Sequence, residues 1–163
     1  MILMSERSLR EEGTMLKIHQ AIIPATLMTL VAGVFAQAAQ SDLIQAEITG
    51  LRSDKGQVVC ALFASEADFP KRADKALAQI KSGISEGHAV CAFPGIAPGT
   101  YAVSVFHDEN SNGKLDTNPL GIPREGVGAS NNAKSRFGPP KFGAAAFQFT
   151  GGRMDLKVTV AYL

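Results

Sequence analysis

From residue 43 to its last residue the chain is written largely in a period of two. In "LIQAEITGL" (43–51), Ile44, Ala46 and Ile48 fall on one side and Gln45, Glu47 and Thr49 on the other. Burying one set leaves the other in water, which marks a strand with one covered face. The pattern returns in "TYAVSVFHD", where Tyr101, Val103 and Val105 alternate with Ala102, Ser104 and Phe106. It closes the chain in "RMDLKVTVAYL" (153–163), with Met154, Leu156, Val158, Val160 and Tyr162 on one face. "QVVCALFA" (57–64), "GHAVCAFPG" (87–95) and "AAAFQFT" (144–150) add apolar runs of strand length. Asp54 and Gly56 in "RSDKGQ" predict a hairpin between the first two strands, and Gly151-Gly152 a hairpin between the last two. Only Arg72 to Ile80, rich in Ala, Lys and Leu, predicts a short helix. Short strands separated by turn residues, with one helix at most, imply an all-β fold: a single β-sandwich of about seven antiparallel strands, immunoglobulin-like or transthyretin-like, with an open barrel as the competitor.

The first forty residues do not belong to that pattern. Lys17 and His19 precede an apolar run from Ala21 to Ala36, followed by Ala36-Gln37-Ala38 with small residues at a cleavage spacing. This predicts a secretory signal peptide over 1–38, with Met15 as an alternative translation start. The run spans about 24 Å as a helix, short of a bilayer's hydrocarbon core of about 30 Å, so no membrane span is expected after cleavage. Residues 39–163 are then one domain, and with 45% of the chain apolar there is enough material for a packed core. Lys and Arg number 16 against 15 Asp and Glu, scattered without a basic stripe, which argues against nucleic acid as a partner.

The chain has two cysteines, Cys60 and Cys91. In an oxidising compartment such a pair closes a disulfide, stabilising by roughly 3–4 kcal/mol for a loop of this length. Two buried free thiols are the alternative, since both lie within apolar runs.

Between Asp108 and Phe142 the periodicity lapses and Gly, Pro and Asn dominate, a length of irregular chain that a compact domain keeps for a reason. Leu115, Leu120, Ile122, Val127, Phe137 and Phe142 are spread through it and predict an ordered region, 107–143, pinned to the sandwich by apolar contacts. Its first part, "HDENSNGKLD", sets Asp108, Asn110 and Asn112 on alternate residues, with Gly113 at the turn, the Lys114 carbonyl next and Asp116 after it. Calcium takes oxygen ligands in that rhythm, and Glu109 or Glu125 would add a carboxylate from outside. The twelfth place, however, is Pro119 rather than a bidentate glutamate, and the flanks are not helices. A turn in which Asp and Asn cap their own backbone amides is the other reading. His107 and Asp108, adjacent on a strand, point to opposite faces, so a structural hydrogen bond suits His107 better than a shared ligand set. His88, Ser104 and Ser130 bring no base or partner that would make a catalytic set.

The second part, "GASNNAKSRFGPPKFG" (128–143), carries Ser130, Asn131, Asn132 and Arg136 as polar groups, with Phe137, Pro139, Pro140 and Phe142 as stiff apolar anchors. It reads either as a surface for a protein, peptide or carbohydrate, or as a clamp folding back over the calcium-like loop.

The run from Pro98 to Phe149 resembles the bacterial family known as domain of unknown function 2141, above all in Phe106–Asp116, Leu120-Gly121-Ile122-Pro123 and Ser130–Phe142. The resemblance implies an exported protein and a β-sandwich, and carries over no activity, substrate or catalytic residue. "PGTYAVSVF" is also similar to transthyretin-like and collagen-adhesin B-type sandwiches, a likeness of architecture only. The expectation is an exported, periplasmic or secreted, non-enzymatic binding or structural module of the cell envelope, its partner an envelope or extracellular protein or glycan. The competing expectation is a small periplasmic hydrolase-type enzyme using Asp108, Asp116 and Glu125 as acid–base groups.

Overall fold

The computed structural model describes residues 42–163; the signal peptide expected over 1–38 lies outside them. Among the described residues, eight strands form two sheets: β1 (Leu43–Thr49), β2 (Gln57–Phe63), β3 (Ala78–Ser82), β4 (Ala89–Pro94), β5 (Gly99–Asp108), β6 (Val127–Ala129), β7 (Phe147–Phe149) and β8 (Arg153–Thr159). The smaller sheet runs β4-β1-β8, and the larger runs β3-β2-β5-β6 with β7 also on β5. Their inner faces close one core, in which Ile44, Ala46 and Ile48 of β1 meet Val58, Cys60 and Leu62 of β2 and Tyr101, Val103 and Val105 of β5. Val158, Val160 and the half-buried Met154, Leu156 and Tyr162 line it from the C-terminal end of the chain, as their alternation predicts. Cys60 and Cys91 form the disulfide, with Cα atoms 6.4 Å apart, and it crosses the core from β2 to β4.

The strands are where their patterns place them, but two pairings and one element differ from expectation. β1 and β2 are not a hairpin: β1 pairs antiparallel with β4 and parallel with β8, while β2 pairs with β3 and β5. β7 and β8 are not a hairpin either, since β7 pairs with β5 across the sandwich from β8. Turn chemistry announces a reversal, not the sheet in which the next strand finds its partner. The stretch expected to be a helix over 72–80 holds a 3-10 turn, Ala73–Lys75, and then β3. Here pairing overrides local propensity: β3 lies on β2 from Val58↔Ser82 to Leu62↔Ala78 and satisfies an edge of hydrogen-bonding groups otherwise open on a strand buried on both faces.

A second, smaller core covers the outer face of the larger sheet. Ala61 and Phe63 of β2 and Ala102 of β5 pack there under Phe69, Ala129 and Ala145, with Phe142 half-buried beside them. The rings step outward edge to face, Phe63 to Phe69 at 5.4 Å and Phe69 to Phe142 at 5.8 Å. This explains why β2 reads as continuously apolar: both of its faces are covered.

Candidate functional site

β5 is the longest strand and delivers His107 and Asp108, both wholly buried, to the end of the larger sheet. Asp108 is the organiser of the loop that follows. Its Oδ1 accepts the Asn112 N–H at 2.9 Å, and its Oδ2 accepts the Gly113 N–H at 2.8 Å and the Gln57 Nε2–H at 2.7 Å. Glu125, also buried, closes the other end: its two oxygens accept the N–H groups of Glu109 and Asp116, each at 2.9 Å. A carboxylate receiving such bonds is a strong acceptor, and here each one ties distant points of a single loop. Gly56 makes room for this turn, because a Cβ there would sit 2.0 Å from the Asp108 carbonyl oxygen.

The residues aligned for a metal are partly brought together. Asn110 and Asn112 both donate to the Asp116 carboxylate, at 2.7 Å and 3.2 Å, and the Asn112 Oδ1 accepts the Lys114 N–H at 2.7 Å. Asp108 stands behind them with both oxygens on amides. Among the described residues no group of three or more His, Cys, Asp or Glu side chains is placed to hold a metal ion.

A second constellation, of which His107 and Glu109 are visible as candidates in the sequence and Arg52 and Tyr162 are not, lies beside the first. His107 bonds the Lys55 carbonyl through Nε2 at 2.7 Å, so this nitrogen carries the proton, and Nδ1 accepts the Tyr162 hydroxyl at 2.6 Å. The Tyr162 oxygen in turn accepts the Arg52 backbone N–H at 3.0 Å. The Arg52 guanidinium lies 4.4 Å from the Tyr162 ring centre and forks onto Glu109, its Nε 2.7 Å from Oε1. The bonded Arg52 holds the Glu109 carboxyl below its usual range, and burial pushes the Tyr162 phenol up. The histidine is thus held by hydrogen bonds, as its place at a strand end implies. Arg52 and Tyr162 are 110 residues apart in sequence, and the one local signal was that Tyr162 shares the inward face of the last strand.

The apolar residues expected to pin the region do so only in part. Val127 and Phe142 are half-buried, but Leu115, Leu120 and Ile122 are exposed, and Phe137 is 92% exposed. Polar groups do much of that work instead. Ser130 and Asn131 root the second part: the Ser130 hydroxyl donates to the Ala145 carbonyl at 2.5 Å and accepts the Val103 N–H at 3.0 Å. Asn131 Nδ2 donates to the Ala146 carbonyl at 2.8 Å, and Asn132 Oδ1 accepts the Thr159 N–H at 2.8 Å. This segment packs on the outer face of the larger sheet, where Phe69 offers it an apolar platform. Arg136 makes no side-chain contact of this kind among the described residues.

The family model described as uncharacterized protein conserved in bacteria (DUF2141) matches residues 46–157, from β1 into β8 and through both parts of the long loop region. The chain belongs to this DUF2141 family. No curated protein and no solved structure matches it. The DUF2141 chain has a disulfide, and none of its described helices is long and apolar enough to cross a membrane; both facts are compatible with export.

Proposed function

We propose that the protein is an exported, non-enzymatic binding or structural module of the cell envelope, whose 109–126 loop is held ready for a protein or glycan partner. The observation that carries this reading is the use of Asp108 and Glu125: their oxygens accept five N–H groups, four of them backbone amides of the loop. A loop ordered before binding loses less freedom on association. At its turn, Asn118 Oδ1 accepts the N–H groups of Leu120 and Ile122 at 2.9 and 3.0 Å, while the two aliphatic side chains stay in solvent, Leu120 at 83% exposure. Such a loop joins shape to an apolar tip. The hydrolase reading would need Asp108, Asp116 and Glu125 turned toward a substrate, and their present bonds support a scaffolding role.

The test has two arms in intact cells. Fractionation with N-terminal sequencing is expected to find a chain beginning near Ala39 outside the cytoplasm. A photocrosslinker at position 120 is expected to give a defined adduct that Ile122→Asp abolishes, whereas one at position 45, on the solvated face of β1, gives none. A full-length cytoplasmic chain, or equal adducts at both positions, overturns the proposal.

A calcium ion in the 108–116 loop is the second reading, motivated by the oxygen-bearing side chains of Asp108, Asn110, Asn112 and Asp116 gathered on one turn. Calcium binding only the folded protein raises stability by about 2.7 kcal/mol at about 100 times its dissociation constant. A melt in calcium that exceeds the melt in EDTA, and no longer does so in Asp116→Ala, supports it; superposed melts refute it.

A further inference from the structure

The second loop has a design unlike the first. Ala133 and Phe142 pack on the outer core, and between them residues 134–141 project from a rooted base. Their turn is made by Ser135, whose hydroxyl bonds the Phe137 backbone in both directions, donating to the carbonyl at 3.0 Å and accepting the N–H at 3.3 Å. Gly138 follows at φ +76°, and Pro139-Pro140 stiffens the return. The loop carries Lys134 and Lys141 next to its two roots and Arg136 beside Phe137 in sequence, all exposed, with Phe137 itself 92% exposed. None of the three cations forms an ion pair among the described residues. Nor is an acidic residue near in sequence: between Glu125 and Asp155 the chain has Lys134, Arg136, Lys141 and Arg153 and no Asp or Glu. The segment 65–75 that supports Phe142 carries three acidic and three basic residues and so cancels itself.

Free cations flanking an exposed aromatic side chain on a stiff loop are complementary to a layer of phosphates with hydrocarbon beneath it. We propose that the 134–141 loop docks on anionic lipid bilayers, with Lys134, Arg136 and Lys141 on headgroup phosphates and the Phe137 ring in the interface. The charge supplies attraction that salt screens, and the ring supplies the part that salt does not. This contact uses a different loop from the display reading above and stands without it.

Co-sedimentation with vesicles tests it, on the full chain and on residues 39–163, whose core and disulfide lie within the described residues. The vesicles are phosphatidylcholine alone or phosphatidylcholine with phosphatidylglycerol. Binding is expected to require phosphatidylglycerol and to fall with added salt. Each cation contributes about fivefold, so Lys134→Gln, Arg136→Gln and Lys141→Gln together should weaken it on the order of 100-fold. Phe137→Ser should weaken it by about tenfold. Lys157→Gln, which removes an exposed cation from β8, should leave binding unchanged. All these side chains are exposed, and unchanged melts will establish that the variants are folded. Equal binding to both vesicle types, or a triple variant that binds as the parent does, overturns the proposal. Retention by heparin with no vesicle binding overturns it in favour of an anionic glycan.

Discussion

The two parts of the long irregular region are held by opposite means. Residues 109–126 hang on buried carboxylates that receive backbone amides, and their aliphatic side chains point outward. Residues 130–146 hang on a buried hydroxyl, an asparagine amide and a stack of aromatic rings, and their charged side chains point outward. The first leaves its apolar side chains in solvent and anchors through polar groups, while the second anchors through Phe142 and leaves the like ring of Phe137 exposed. The composition of a loop therefore does not reveal how it is fixed, and the two should fail under different insults.

Asp108→Ala should produce the largest effect. It strands two loop amides and the Gln57 side chain at a wholly buried point. The expected loss is about 3 kcal/mol, on the order of 10 °C in melting temperature. Amide exchange should accelerate across 109–126 and hold its rate across 130–146; acceleration in both would mean that the regions are one unit. Phe142→Ala is the converse experiment, removing about 2 kcal/mol of ring packing and freeing 130–146 while 109–126 keeps its protection. Ser130→Ala removes the acceptor of the Val103 N–H and the donor to Ala145, and chemical denaturation should read a loss of about 1–2 kcal/mol.

Acid should separate the regions with the smallest effect of the four. Arg52 depresses the Glu109 carboxyl in the folded state. The stabilisation is complete above the carboxyl's ordinary value of about 4.3 and is lost as pH falls through the lower folded value. Denaturation curves followed down to about pH 3 should thus converge for the parent and Glu109→Gln. Among the described residues, the anchors of 130–146 include no carboxylate, so Ser130→Ala should keep its offset from the parent at every pH.

Much of the sandwich was legible in the sequence because covered strands repeat every two residues, a local property. Ile44, Ala46 and Ile48, and Met154 through Tyr162, are inward as their alternation states. The disulfide partners were legible because there are only two. The spacing of Asp108, Asn110, Asn112 and Asp116 marked a polar turn, a local property, but it did not foretell that Asn110 and Asn112 donate to the Asp116 carboxylate. Partners were not legible: β1 lies beside β8 rather than β2, and Arg52 meets Tyr162 across the length of the domain. Strand pairing and long-range hydrogen bonds depend on which of several equally patterned surfaces close the core with every backbone group satisfied. The sequence by itself thus determined which residues face inward and where the chain turns. Only the tertiary structure decided that Asp108 and Glu125 hold one loop, that Phe69 and Phe142 hold the other, and that Phe137 is left in solvent. The reason is that burial is settled by the whole packed chain, while alternation and turn chemistry are settled within a few residues.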